Sequence, residues 1–322
     1  MNKKTILFFG GSGSLGNEFI TNYGETNKII NFSRDECKHW KMEMKYNNIT
    51  NIIGDIRNKD RVKQSIKNVN PHIIIIASAL KHIDRCEYAS TECIATNITG
   101  IQNILNSINE LDNLSCETVV FISTDKACSP VNLYGICKAA SEKIMIECAK
   151  NSNSIKYVNV RYGNVLNSRG SIIPFLHNQG EDSKISHFTL TDNRMTRFIM
   201  TLKESCNLIE YAILHGNNGE TIIPTIKSMY MKDIFEIFSD LYKKPIKIVG
   251  LRPGEKLYES LINGTQHLLT YIKNDYYHIR PPYNKELLNT DQTDINSNYN
   301  LLTKQELNEL LIKLQLIDVP TN

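Results

Sequence analysis

The sequence predicts an α/β protein, a Rossmann-type doubly wound parallel sheet followed by a smaller C-terminal part. Three observations carry this. A glycine-rich turn, Gly10-Gly11-Ser12-Gly13-Ser14-Leu15-Gly16, lies between the apolar run Thr5–Phe9 and the amphipathic stretch Leu15–Tyr23. Short β-branched runs then alternate with stretches of helical spacing as far as residue 160, which is the pattern of βαβ units. Beyond that point the alternation gives way to polar loops, among them Pro174 and Gly180. The expected division is residues 1–165 for a dinucleotide-binding domain, 166–283 for a substrate-binding part, and 284–322 for a polar linker with a final helix.

Each element has a local reason. In the first turn, glycine permits a tight bend and close approach of a pyrophosphate, whose charge then meets a helix N-terminus. Gly10, Ser12, Gly13, Ser14, Leu15 and Gly16 are therefore cofactor-binding candidates. The second strand, Lys28–Phe32, ends in Ser33-Arg34-Asp35-Glu36, with Lys38 beyond. An NAD site places an acid here for the ribose 2′-OH. A hydroxyl and a cation suit a 2′-phosphate, so Ser33, Arg34 and Lys38 predict NADP; Asp35 as the NAD acid is the alternative. The third strand leads into Asp55-Ile56-Arg57, where Asp55 and Ile56 are cofactor-binding candidates, Asp55 accepting from the adenine amino group or alternatively capping a helix. His72–Ala77 is a buried strand leading into Ser78-Ala79-Leu80-Lys81-His82. Small Ala77 and Ala79 leave room for the cofactor. Lys81 is a substrate-contact candidate, whereas His82 reads as structural. A single helix is expected over Thr91–Leu111, carrying Asn97.

The strand Glu117–Ile122 precedes Ser123-Thr124-Asp125-Lys126, and Leu133–Lys150 has helical spacing. Tyr134 and Lys138 are four residues apart and share a helix face. An ammonium beside the phenol predicts a lowered Tyr134 pKa, making Tyr134 a base for a sugar hydroxyl with Thr124 beside it. Asp125 and Lys126 add a second acid and base. Adjacent strand residues point to opposite faces, a restriction that relaxes in a loop. Further on, Arg194 and Arg252 stand in loops suited to a diphosphate, because guanidinium grips phosphate through a planar fork; surface ion pairing is the equal alternative. Leu307, Leu310, Leu311 and Leu314 give Thr303–Gln315 an apolar helical face that packs on the domain or on a partner subunit.

Composition narrows the class. At 322 residues and 41% hydrophobic, the chain can bury a large core. A net charge of +3 without a local basic patch argues against nucleic acid. The eight cysteines show neither CxxC spacing nor a Cys/His cluster, so no metal and no disulfide framework is expected. Met1-Asn-Lys-Lys runs straight into a strand, and no apolar run reaches membrane-spanning length. The expectation is a cytoplasmic protein with no membrane partner.

Taken together, the motifs at 10–16, 33–36, 54–57, 79–82, 123–126 and 132–135 resemble one family. So do Arg161-Tyr162-Gly163-Asn164-Val165, Ser168-Arg169-Gly170-Ser171, Arg194-Met195-Thr196-Arg197-Phe198 and Arg252-Pro253-Gly254-Glu255-Lys256. The family is that of the short UDP-N-acetylglucosamine 4,6-dehydratases that invert C5, in the extended short-chain dehydrogenase/reductase superfamily. The resemblance spans residues 1–265; the tail is outside it. Departures are mild: Phe9 and Ser12 stand where threonine is expected, Leu15 where phenylalanine is usual, and Cys128 where a small apolar residue is.

The resemblance implies a tightly bound, recycled NADP and a UDP-sugar substrate. It implies oxidation at C4 by Tyr134 with Lys138 and Thr124, and abstraction of the C5 proton by a neutral Lys126. Asp125 then gives a proton to the leaving C6 hydroxyl, hydride returns to C6, and reprotonation yields the L-configured 4-keto-6-deoxy sugar. Asn164, Arg194, Thr196, Arg252 and Glu255, with Lys81, are the implied substrate contacts, and a homo-oligomer is the family habit. The presence of Tyr134 favours inversion over retention. A UDP-hexose 4-epimerase shares Thr124, Tyr134 and Lys138 but needs no Asp125–Lys126 pair. A non-catalytic NADP-binding regulator would not need the set intact.

Overall fold

In the computed structural model, which describes residues 1–284 and 286–318, the chain is built on one nine-stranded sheet. Its first six strands are β1 (Thr5–Phe9), β2 (Lys28–Ser33), β3 (Ile49–Ile53), β4 (Ile73–Ile76), β5 (Thr118–Ile122) and β6 (Lys156–Val160). From the β3 edge inward the order is β3, β2, β1, β4, β5 and β6, all parallel. The reversal between β1 and β4 opens the crevice in which doubly wound sheets bind ligands. Strand residues such as Ile73–Ile76 and Thr118–Ile122 are buried throughout, because helices cover both faces of a parallel sheet. Two apolar clusters fill these layers, one around Phe8 and Phe19 and the other around Phe9, Phe32 and Phe121.

Helix starts follow local chemistry. Asp35 accepts from Lys38 N at 3.1 Å and caps Glu36–Lys45, and Asn58 accepts from Arg61 N at 3.0 Å and caps Lys59–Val69. Asn132 accepts from Gly135 N at 2.9 Å and starts Leu133–Asn151. Each satisfies a backbone N–H that has no partner within its helix. Asp55 caps nothing; its carboxylate is taken by Arg57.

Three expectations are corrected here. The helix expected over Thr91–Leu111 is broken into Ser90–Ile94, a π turn at Ala95–Thr99, and Gly100–Asn109. At the π turn lies the buried Asn97, whose Oδ1 accepts from Leu80 N at 2.8 Å and whose Nδ2 donates to Leu80 O at 2.9 Å. One extra residue in the turn thus anchors the loop after β4.

The boundary at 165/166 is also crossed. The chain leaves the sheet, then returns to add Thr221–Pro224 parallel to β6 and the antiparallel hairpin Thr270–Lys273/Tyr276–Ile279. These strands cover the β6 edge, which would otherwise present unpaired backbone groups. Outside the sheet, Leu166, Phe188, Ile234 and Phe238 form a separate core for the smaller part.

Thirdly, the stretch expected as a linker is structured where described. Ile295–Asn296 pairs antiparallel with Ser260–Ile262. Ser297 exchanges bonds with the Glu259 backbone, 2.8 Å to its O and 3.0 Å from its N. Lys304–Lys313 then sets Leu307 and Leu311 into the smaller core, beside Met231–Tyr242. That is the first of the two expected destinations for this helix.

Candidate active site

A cavity of about 910 Å³ opens along the C-terminal ends of the parallel strands. At one end is the glycine turn. Gly10 has φ +90, and a Cβ there would lie 2.8 Å from Ser78 N. A Cβ on Gly16 would overlap Gly11 O, so this residue packs under the turn rather than lining the cavity. Gly13 has only Gly10 O near its Cβ position, at 3.4 Å. The turn therefore presents bare backbone to the cavity at the start of Ser14–Tyr23, the arrangement a dinucleotide pyrophosphate fits.

Around it the lining includes Ser12, Ser14, Leu15, Ser33, Arg34, Lys38, Asp55, Ile56, Ala77 and Ala79. All were expected from the sequence. Among the cations, Arg34 lies 3.6 Å from Asp55 with half its side chain exposed, while Lys38 is held by Asp35 at 2.6 Å. The Ser33 hydroxyl pairs with His39 Nε2 at 2.6 Å.

Farther along are Thr124, Lys126, Tyr134 and Lys138. Asp125-Lys126-Ala127 forms a 3-10 turn, not a strand, which is what brings consecutive side chains together. The Thr124 hydroxyl donates to Asp125 Oδ1 at 2.9 Å, and Lys126 Nζ donates to the same oxygen at 3.1 Å. Asp125 is fully buried, and its other oxygen, Oδ2, has no hydrogen-bond partner. Lys126 Nζ also reaches Asn164 Oδ1 at 3.4 Å.

The electrostatics depart from expectation twice. Burial pushes Tyr134 well above the ordinary phenol range, and the Asp125 charge adds to this; the Thr124 hydroxyl bond opposes them. Lys138 does not depress it. Its ammonium donates to Ile122 O at 2.7 Å and lies 4.5 Å from the Phe121 ring centroid. Burial lowers Lys138 itself to about 8, against the pull of Glu142. The neutral Lys126 that the resemblance implies calls for a depressed lysine. Burial does act in that direction, but Asp125 and Glu259 outweigh it and raise Lys126 above the usual lysine value.

The substrate candidates divide. Lys81, Asn164 and Arg252 line the cavity. Lys81 Nζ donates to Arg169 O at 2.6 Å, and Arg169 N donates to Ser14 Oγ at 2.9 Å. The Ser168–Ser171 loop is thus tied to both walls. Arg252 is paired with Glu255, with Nη2 to Oε1 at 2.6 Å, and Glu255 itself does not line the cavity. Arg194 is not brought to the cavity; it is exposed and paired with Asp192. Nor is Thr196, which is fully buried with its hydroxyl 2.7 Å from Ser297 Oγ. The alternation of strand Thr196–Met200 turns this hydroxyl to the tail.

Sequence reasoning missed two acids. Glu142 lies behind Lys138 on the same helix and forms a buried pair with Arg161, which also donates to Leu261 O at 2.6 Å and Gln266 Oε1 at 2.9 Å. Glu259 is buried within 3.7 Å of Lys126 Nζ. The spacing Lys256…Glu259 was visible, but nothing in it indicated burial.

The fold and the Thr124/Tyr134/Lys138 constellation define the class, an extended short-chain dehydrogenase/reductase. Residues 6–281 match the model of the polysaccharide biosynthesis protein family, and the chain belongs to that family. It is 39% identical over 292 residues to the UDP-N-acetylglucosamine 4,6-dehydratase (inverting) of Campylobacter jejuni, covering 87% of this chain and 84% of the relative. It is 35% identical over 288 residues to the UDP-glucose 4-epimerase of Rickettsia rickettsii, covering 86% and 82%. The X-ray structure of Pen from Bacillus thuringiensis superposes with a TM-score of 0.89 at 32% identity, covering 98% and 99% of the two chains. The dTDP-glucose 4,6-dehydratase DesIV of Streptomyces venezuelae shares the fold, with a TM-score of 0.68 at 18% identity over 79% and 86%. No described helix is long and apolar enough to cross a membrane.

Proposed function

We propose that this chain is a UDP-N-acetylglucosamine 4,6-dehydratase that inverts C5 and uses a bound, recycled NADP. The observation that carries the reading is the Asp125–Lys126 pair, turned into one site beside Thr124 by the 3-10 turn. A 4-epimerase needs only Thr124, Tyr134 and Lys138. The extra acid and base give the means to remove water.

The glycine turn, Asp55, Ala77 and Ala79 would hold the dinucleotide, with Arg34, Ser33 and Lys38 toward a 2′-phosphate. A nicotinamide dinucleotide held there would supply the hydride exchange that the reaction needs, and its oxidised ring would bring positive charge favouring Tyr134 phenolate. Tyr134 takes the C4 hydroxyl proton, with Thr124 fixing the hydroxyl and Lys138 fixing the site through Ile122. The C4 ketone acidifies the C5 proton, and Lys126 accepts it in the neutral form it takes once its own proton has passed to Asp125 along their 3.1 Å bond. Asp125 donates a proton to the C6 oxygen, which departs as water. Reprotonation of C5 from the opposite face gives the L-configured 4-keto-6-deoxy product. Arg252, oriented by Glu255, would grip the diphosphate.

The test is to incubate the purified protein with UDP-N-acetylglucosamine in heavy water and follow the proton spectrum. A new C6 methyl signal, deuterium at C5 and couplings of an L-configured ring are expected. A D-configured methyl product overturns inversion; conversion to the C4 epimer alone overturns the dehydratase in favour of the epimerase. For the cofactor, Arg34→Ala is expected to weaken NADP binding while leaving NAD binding unchanged. Equal loss of both would remove Arg34 from the 2′-phosphate.

A further inference from the structure

We propose that Glu259 is a positioning residue for the elimination step, the counter-ion that holds Lys126 in place and stabilises the ammonium it becomes on accepting the C5 proton. The inference rests on the dehydratase reading for its chemistry and on geometry for its residues. Glu259 is 4% exposed, and its Oε1 lies 3.7 Å from Lys126 Nζ. Its Oε2 lies 3.6 Å from Lys256 Nζ and has no hydrogen-bond partner. Lys256 is held in turn by Cys128 O at 3.1 Å.

The need for a second acid follows from the reaction. If Asp125 gives its proton to the leaving hydroxyl, it must enter the step protonated, and a neutral carboxyl cannot offset positive charge growing on Lys126. When the C5–H bond breaks, the proton joins Lys126 Nζ and the electron pair remains with the sugar, forming the C5–C6 double bond as water leaves. Glu259 supplies the negative charge facing that new ammonium, inside a site where charges are poorly screened. The other charges facing Lys126 and Glu259 are Asp125 on the same turn, Lys256 on the preceding loop, and Arg197 on the strand Thr196–Met200. The Glu142–Arg161 pair lies behind Asp125.

This also assigns work to the tail. Ser297 N donates to Glu259 O at 2.8 Å, Glu259 N donates to Ser297 Oγ at 3.0 Å, and the fully buried Ser297 is anchored by Thr196. The segment that reads as a polar linker therefore clamps the backbone of the residue facing Lys126.

Two readouts test the inference. The first needs no substrate: with carbon-13 at lysine Cε, the Lys126 signal is identified by its loss in Lys126→Arg and titrated in the wild type and in Glu259→Gln. The midpoint is expected to fall by roughly one to three pH units, the effect of removing an opposite charge at this range. An unmoved midpoint overturns the proposal. In the second, Glu259→Gln is expected to lower kcat at least about tenfold with KM unchanged and to move the acid limb of the kcat profile to lower pH. Glu259→Asp, which keeps the charge, should restore the limb. An unchanged limb and kcat in Glu259→Gln overturn the proposal. A wild type that does not convert the substrate overturns the dehydratase reading alone, because the lysine titration still decides the role of Glu259.

Discussion

Replacing Arg161 with methionine exposes how the site is held. The guanidinium sits among Glu142, Leu261 O and Gln266 Oε1, with both charged side chains buried. Ser123 Oγ donates to the same Glu142 carboxylate. Methionine fills most of the volume but takes from the Glu142 carboxylate the cation it is bonded to, leaving only the more distant Lys138 charge, and takes from the Leu261 carbonyl this donor. Removing one partner of a buried pair costs about 3–5 kcal/mol. Unfolding entropy near 2.1 cal/mol/K per residue gives roughly 0.7 kcal/mol/K for a chain of this length, so the loss reads as a Tm lower by about 4–7 °C. The assay is calorimetry, supported by urea unfolding, on Arg161→Met, Glu142→Met and the double variant. The double variant is expected to recover most of the loss, since paired apolar replacements of buried ions are often neutral. A Tm drop under about 1 °C in Arg161→Met, or a double variant with the summed loss of both singles, would refute the reasoning.

Other outcomes follow from the same geometry. Lys126→Met is expected to abolish deuterium exchange at C5 while dinucleotide binding, read by fluorescence or calorimetry, is retained; full exchange removes Lys126 as the base. Arg252→Ala is expected to raise KM at least about tenfold with a smaller change in kcat, since its side chain faces the cavity and Glu255 only orients it; an unmoved KM ends its role as a diphosphate contact. Gly16→Ala should abolish dinucleotide binding or folding, because its Cβ would overlap Gly11 O; normal binding refutes the close packing under the turn. Glu220 is opposed by its own burial, but bonds from His278, Asn217 and Tyr271 lower it to about 2 from 4.5. Its folded value is depressed, so its contribution, about 3 kcal/mol, is present above pH 4.5 and lost as pH falls toward 2. Glu220→Gln should flatten stability against pH across that window, as measured by urea titrations; an unchanged slope would contradict it.

Much of the cofactor half was legible because its signals are local. The glycine turn and the β-branched strands each depend on a few neighbouring residues, and the structure forms them where those residues stand. Tyr134 and Lys138 share a helix face by spacing alone. Tertiary structure decided what depends on burial and on distant chain. It half-buried Tyr134 in the cavity wall and reversed the direction of its expected shift, set Glu259 against Lys126 so that burial lost to charge, and turned Thr196 to the tail instead of the substrate. It returned the chain to cover the β6 edge with Thr221–Pro224 and made a clamp of a polar tail through Ser297. Sequence spacing fixes which neighbours a residue has along its own element; the sign of a pKa shift and the worth of a polar tail depend on which distant groups close over it.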